Sequence, residues 1–221
     1  MTISERKGQF VVFDLDDTLY FEREYQNSGF AEICARIKEL YGRDLFSECV
    51  ALLSAGCDDV IGELCRRAGL PASMKESLLW MYRLHKPRIA LREGAGEIIE
   101  TLEQVSAGVA ILTDGRSLTQ RGKIQALGLE RIRAYVSEET GARKPDITGF
   151  VQIARDFPAT RYIYVADNPA KDFIAPNSLG WRTEGVRGTA DNVYSQDCRK
   201  LTSNYHPHVW IDALSELLSA I

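Results

Sequence analysis

No two cysteines of this chain stand at CxxC spacing, and there are only five, at 34, 49, 57, 65 and 198. An odd, scattered set of this kind excludes a disulfide framework and reads as reduced thiols, mostly small buried hydrophobes. Histidine is scarcer still, and His206 and His208 have no Cys or His partners at zinc spacing, so they read as a strand-end pair without catalysis. Neither sign of charge dominates: 27 basic residues face 31 acidic ones, a formal net of −4. That excludes the basic face a nucleic-acid partner needs, and the acidity is too mild for a solvating tail. No window has the apolar length to span a bilayer, so no membrane is expected as a partner. The opening MTISERKGQF lacks the apolar run of a signal peptide. A soluble, cytoplasmic protein is the expectation. Repeats and low-complexity tracts are also missing.

What is present is a hydrophobic fraction of 45% in 221 residues, enough for one large domain, or for one domain with a smaller insert. Short apolar runs recur at Phe10–Phe13, Val109–Leu112, Ala134–Val136, Tyr162–Val165 and Trp181–Thr183. Between them lie helical patterns over Gly94–Val105, Leu118–Leu127, Ile147–Asp156 and Ala170–Asn177. Such alternation predicts an α/β fold, a doubly wound, Rossmann-like parallel sheet covered on both faces. From Glu22 to about Lys86 the alternation stops. Helical periods replace it, punctuated by Gly42, Gly56 and GLPAS at 69–73. This block predicts an inserted all-helical lid of roughly four helices, with residues 22–88 as cap and residues 1–21 and 89–221 as core. The end of the chain, NYHPHVWIDALSELLSAI, reads as a short strand and then a helix.

The polar residues collect behind the strands. Asp14, Asp16 and Thr18 follow the first, TDGRS from Thr113 follows the second, and ADNPAKD with Asp167 and Asp172 follows the fourth. Lys144 stands in ARKPD just ahead of that strand. In a parallel sheet all strand C-termini share one edge, so these groups converge. Carboxylates this close repel unless a cation joins them, and all-oxygen ligation favours Mg²⁺ above all. A lone lysine and a strand-end threonine beside such a cation suit an anionic, oxygen-rich substrate, phosphate above all. The loop after Thr113 opens a helix, whose free N–H groups favour an anion. Alternation along an extended segment lets Asp14 and Asp16 point one way while Leu15 enters the core. Asp14 is then the candidate nucleophile and Asp16 the candidate acid and base. Asp17 is expected to point the other way, and Tyr20, Phe21, Tyr25 and Phe30 are open to either a substrate-facing wall or plain packing.

These residues resemble the four motifs of the haloacid dehalogenase-like superfamily of phosphohydrolases: DLDDT at 14–18, VAILTDG ending in Thr113, Lys144 in RKPD, and VADNPAKD with Asp167 and Asp172. The resemblance covers about residues 9–20 and 90–190, and 22–88 sits where the family's C1-type caps sit. It implies that Asp14 attacks phosphorus and that Asp14, Asp167 and the Asp16 carbonyl ligate Mg²⁺, with Asp172 supporting them. It further implies that Thr113, the backbone amides at Asp114 and Gly115, and Lys144 hold the phosphate. Ala166 departs from the glycine the family often has before its metal aspartate. The implied activity is hydrolysis of a small phosphorylated metabolite through an aspartyl-phosphate. A phosphomutase or phosphotransferase would share every core residue. A dehalogenase would have no use for Asp16 as an acid, and a non-catalytic binding protein could have lost Asp14 or Asp16. Substrate and oligomeric state are not legible.

Overall fold

The computed structural model describes residues 7–190 and 192–220. The signal-peptide reading at the chain start therefore lies largely outside the described residues. Six strands form a single all-parallel sheet: β1 (Gln9–Phe13), β2 (Gly108–Thr113), β3 (Arg133–Val136), β4 (Arg161–Ala166), β5 (Arg182–Val186) and β6 (Val209–Ile211), in the order β3-β2-β1-β4-β5-β6. This is the doubly wound α/β architecture the alternation predicts. Every residue of β1 is buried, as it must be in a strand paired on both sides and covered on both faces. Because the strand order turns at β1, the ends of β2 and β4 flank the end of β1 on either side. Crevices of that kind are where open α/β sheets place their sites.

The chain divides into two compact units, Met1–Arg23 with Ile89–Ile221, and Glu24–Arg88. In the first, the helices α5 (Ala95–Val105), α6 (Ser117–Ala126), α7 (Ser137–Thr140), α8 (Thr148–Asp156) and α9 (Ile174–Ser178) connect the strands. One core cluster gathers Phe10 and Val12 of β1, Leu112 of β2, Tyr164 of β4, Phe150 and Ile153 of α8, and Trp181. The fit there is close: a Cβ at Gly149 would stand 2.6 Å from Leu112 Cδ1.

The second unit is helical. It comprises most of α1 (Glu22–Tyr41), then α2 (Phe46–Ser54), α3 (Val60–Ala68) and α4 (Met74–Leu84), around Ile33, Ile37, Leu64 and Leu78. The α3 helix is closed at both ends. The Asp59 side chain accepts from the Gly62 N–H at 3.0 Å, and Gly69 adopts φ 70°, the left-handed conformation that glycine takes without a Cβ penalty. Tyr25 and Phe30 pack on Tyr82 in this unit, with ring centroids 5.5 and 4.9 Å away. Cys34, Cys49, Cys57, Cys65 and Cys198 are all free thiols. Among the described residues, no helix is long and apolar enough to cross a membrane.

Candidate active site

Asp14 is the first residue beyond β1, and its N–H donates to the Val165 carbonyl at 2.8 Å, which ties it to β4. Its carboxylate is buried against Lys144, Nζ to Oδ1 at 2.7 Å. The same ammonium meets Asp172 Oδ1 at 2.7 Å and the Tyr164 hydroxyl at 2.9 Å. Asp172 also accepts from the Asn168 N–H at 3.0 Å, which pins it across the turn after β4. Asp14, Asp167 and Asp172 each bring a carboxylate oxygen within 4.8 Å of one another, all three buried. Burial, opposed by Lys144 and reinforced by Asp172, raises Asp14 to a pKa of about 6. Asp167 is pushed well above the usual carboxylate range by burial and then by Asp172 and Asp14. Burial alone would lower the Lys144 pKa, but Asp14 and Asp172 carry it well above that of an ordinary lysine.

The charges show what the cluster fits. Two of the three carboxylates, Asp14 and Asp172, flank the one ammonium, and with all three ionised the group holds more negative than positive charge, which is why burial and mutual repulsion hold protons on Asp14 and Asp167. Lys171 and Asp114, at 3.6 Å, cancel each other beside it. A divalent cation with oxygen preference meets both the charge and the donor set.

Asp16 lies apart from this group. Its carboxylate meets Lys123 Nζ at 2.6 Å, the Tyr20 hydroxyl at 2.5 Å and Gln120 Nε2 at 2.8 Å. Burial works against its ionisation, but these three donors hold its pKa below the usual value. Gln120 spends its second amide hydrogen on Thr113 Oγ1, at 2.6 Å. Thr113 thus accepts from Gln120 and keeps its own O–H to give to an anion. Gly115 makes this approach possible, since a Cβ there would lie 2.9 Å from Gln120 Cδ. Of the two backbone amides expected to hold phosphate, the Gly115 N–H donates to the Ser137 hydroxyl at 2.9 Å. The Asp114 carboxylate accepts from the Lys144 N–H at 3.1 Å.

Asp17 points elsewhere, into a brace. It takes φ 55°, a left-handed conformation that Asp tolerates better than most residues. Its buried carboxylate accepts from the N–H groups of Glu22 (2.9 Å) and Val193 (2.7 Å). The Val193 segment in turn touches Asp167: Asn192 Nδ2 is 3.4 Å from its Oδ2, and Gln196 Nε2 donates to its carbonyl at 2.9 Å. Thr18 Oγ1 stands 3.5 Å from the other carboxylate oxygen.

Sequence reasoning missed Lys123, Gln120, Tyr164, Asn192 and Gln196. Only Gln120 and Lys123 carried a signal, a spacing of three that puts two polar residues on one helix face, and solvated helix faces read the same way.

Comparison with known proteins agrees with this architecture. The family model of the haloacid dehalogenase-like hydrolases matches residues 9–180. A ribulose-1,5-bisphosphate 5-phosphatase of Halopiger xanaduensis is 28% identical over 239 residues, covering 96% of this chain and 98% of the relative. Among solved structures, the HAD-hydrolase YfnB of Bacillus subtilis, bound to magnesium, superposes with a TM-score of 0.66 at 19% identity, covering 97% of this chain and 98% of that one. A HAD family hydrolase of Deinococcus radiodurans with bound phosphate and sodium gives 0.63 at 18%, covering 98% and 95%. With the family model matched over residues 9–180, a span that includes Asp14, Lys144, Asp167 and Asp172, the chain belongs to the haloacid dehalogenase-like hydrolases.

Proposed function

We propose that this hydrolase is a Mg²⁺-dependent phosphatase that cleaves a small phosphate monoester through an aspartyl-phosphate on Asp14. The observation that carries the reading is Lys144, a buried ammonium between Asp14 and Asp172, beside which Asp14, Asp167 and Asp172 bring three buried carboxylates together. Asp14, Asp167 and the Asp16 carbonyl are the groups to hold Mg²⁺, which when bound neutralises the phosphoryl oxygens and polarises phosphorus. Asp172 orients Lys144 and stands close enough to join through water.

In the first step an Asp14 carboxylate oxygen forms a bond to phosphorus while the bond to the ester oxygen breaks. The departing oxygen takes its proton from Asp16, which Lys123 keeps ionised in the free protein and which must take up that proton when the anionic substrate binds beside it. In the second step water attacks the same phosphorus and gives its proton to Asp16. The acyl phosphate bond breaks, inorganic phosphate leaves and Asp14 is restored. Lys144 and the Thr113 hydroxyl hold phosphate oxygens throughout, so positioning and charge stabilisation supply most of the acceleration. The Halopiger relative is named for a sugar bisphosphate, which supports phosphorylated sugars as the substrate class to test first.

The test is phosphate release from a panel of phosphomonoesters, ribulose 1,5-bisphosphate included, for wild type beside Asp14→Asn. A preferred substrate should emerge, and the variant should lose more than about 10³-fold in kcat, the scale on which loss of a nucleophile acts. Chelation should silence the wild type and Mg²⁺ should restore it. Residual turnover by a folded Asp14→Asn would remove the nucleophile assignment. Turnover indifferent to chelation would remove the metal.

A further inference from the structure

Among the described residues Lys123 is one of two lysines with a side chain withdrawn almost completely from solvent, at 3% exposure, and the proposed chemistry leaves it without a task. It sits on α6, one helical turn beyond Gln120, so both side chains project from the same face. Its ammonium reaches Asp16 Oδ1 at 2.6 Å, lies 3.8 Å from Glu22 Oε1, and stands 5.6 Å above the Tyr20 ring.

We propose that Lys123 is the positioning residue for the Asp16 carboxylate, fixing from α6 the place at which the leaving oxygen meets its proton donor. This rests on the reading of Asp16 as general acid. A free aspartate at a loop apex rotates about two side-chain bonds. Asp16 has three donors from two directions, Lys123 and Gln120 from α6 and Tyr20 from its own loop. Proton transfer to a departing oxygen demands approach within about 3 Å, so a carboxylate held at one orientation is worth more than one that samples several. Gln120 also holds Thr113, so a single helix face sets the acid and the strand-end hydroxyl relative to each other. The burial supports a dedicated role. A surface lysine would cost nothing to hydrate, whereas one sealed in the protein is tolerated only with its charge compensated, and Asp16 supplies the closest carboxylate.

The experiment compares kcat/KM across a series of phosphate esters with leaving groups from 2,4-dinitrophenol through phenol to simple alcohols. It uses wild type, Asp16→Asn, Lys123→Met and Lys123→Gln. For these substrates kcat/KM reports formation of the aspartyl-phosphate, where the leaving oxygen takes its proton. Lys123→Met should lose about 100-fold or more on alkyl esters, and only a few-fold on the dinitrophenyl ester, whose leaving group departs without a proton. Lys123→Gln, which keeps a donor without the charge, should fall between.

A loss equal across the series would make Lys123 a general prop for the fold and overturn the proposal. So would no loss, or failure of both Lys123 variants to fold as judged by circular dichroism and thermal melting. Asp16→Asn separates the two levels of inference. If it shows no leaving-group dependence, the acid assignment itself fails; if it does and the Lys123 variants do not, only the positioning role fails.

Discussion

Asp14 is asked to be buried and charged at once. Burial and the neighbouring Asp172 hold its proton up to a pKa of about 6, and burial with Asp172 and Asp14 likewise holds Asp167 well above the ordinary range. The sign of the consequence follows from linkage. Because the folded state binds protons that the unfolded chain has released, Asp14 favours the metal-free fold most fully below pH 3.8, and this contribution is lost as pH rises towards 6. A divalent cation competes for the same oxygens, so its binding should expel protons and weaken as pH falls below about 6. Calorimetric titration with Mg²⁺ in two buffers of different ionisation enthalpy checks this. The apparent heat should depend on buffer more strongly at pH 6 than at pH 8, and less so in Asp14→Asn. Heats that ignore the buffer at pH 6 would mean that the cation binds elsewhere.

Among the elements, β5 shows where local pattern misleads. Its apolar run stops at Thr183, yet the strand continues through Glu184 and Gly185 to Val186, all buried. Gly185 is small because Trp210 of β6 lies on it: a Cβ there would stand 2.5 Å from the indole. Glu184 is fully buried, with Oε1 on Arg182 Nε at 2.7 Å and Oε2 without a hydrogen-bond partner. Burial raises its pKa, so its favourable contribution is complete below pH 4.5 and is lost as pH rises through the raised folded value. Glu184→Gln, which keeps an oxygen for Arg182 and removes the buried charge, should therefore stabilise the protein at pH 8 by about 1 kcal/mol, raising Tm by about 2–4 °C. The difference should vanish near pH 4.5. A variant less stable than wild type at pH 8 would show that the Arg182 pair outweighs the orphaned oxygen. The turn after β4 deviates from expectation for a related reason. The helix begins at Ile174 rather than Ala170 because Asn168 and Asp172 exchange main-chain and side-chain bonds that replace its first turn.

At the scale of the molecule, two units carry separate cores. The sheet unit is centred on Phe10, Val12, Leu112, Phe150 and Tyr164, and the helical unit on Ile33, Ile37, Leu64 and Leu78. Leu64 is fully buried, so Leu64→Ala should cost the helical unit about 2–5 kcal/mol. Native-state hydrogen exchange resolves where that cost falls. Amides of α3 and α4 should lose protection, while those of β1 and β4 keep theirs. Equal loss in both would mean that the units unfold as one.

The sequence by itself determined the all-parallel sheet, because it depends on short-range regularities, and the same regularities led to the expectation of a helical insert and of a set of strand-end residues. Apolar runs specify buried parallel strands, and parallel strands bring their C-termini to one edge. Asp14, Asp167 and Asp172 were expected together on that ground, and the structure does bring their carboxylates within 4.8 Å of one another. Lys144 stands at no strand end, so that ground does not single it out. Only the tertiary structure decided which charge meets which. Asp14 takes Lys144, 130 residues away, while Asp16 takes Lys123, at a separation of 107. Asp14 and Asp16, two apart, thus enter different surroundings, since the chain leaves its extended course after Phe13 and turns through a positive φ at Asp17. A lysine on a helix reads locally as a solvated surface residue. Its burial, and the carboxylate that compensates its charge, come from packing against a distant loop, and no local pattern encodes that partner.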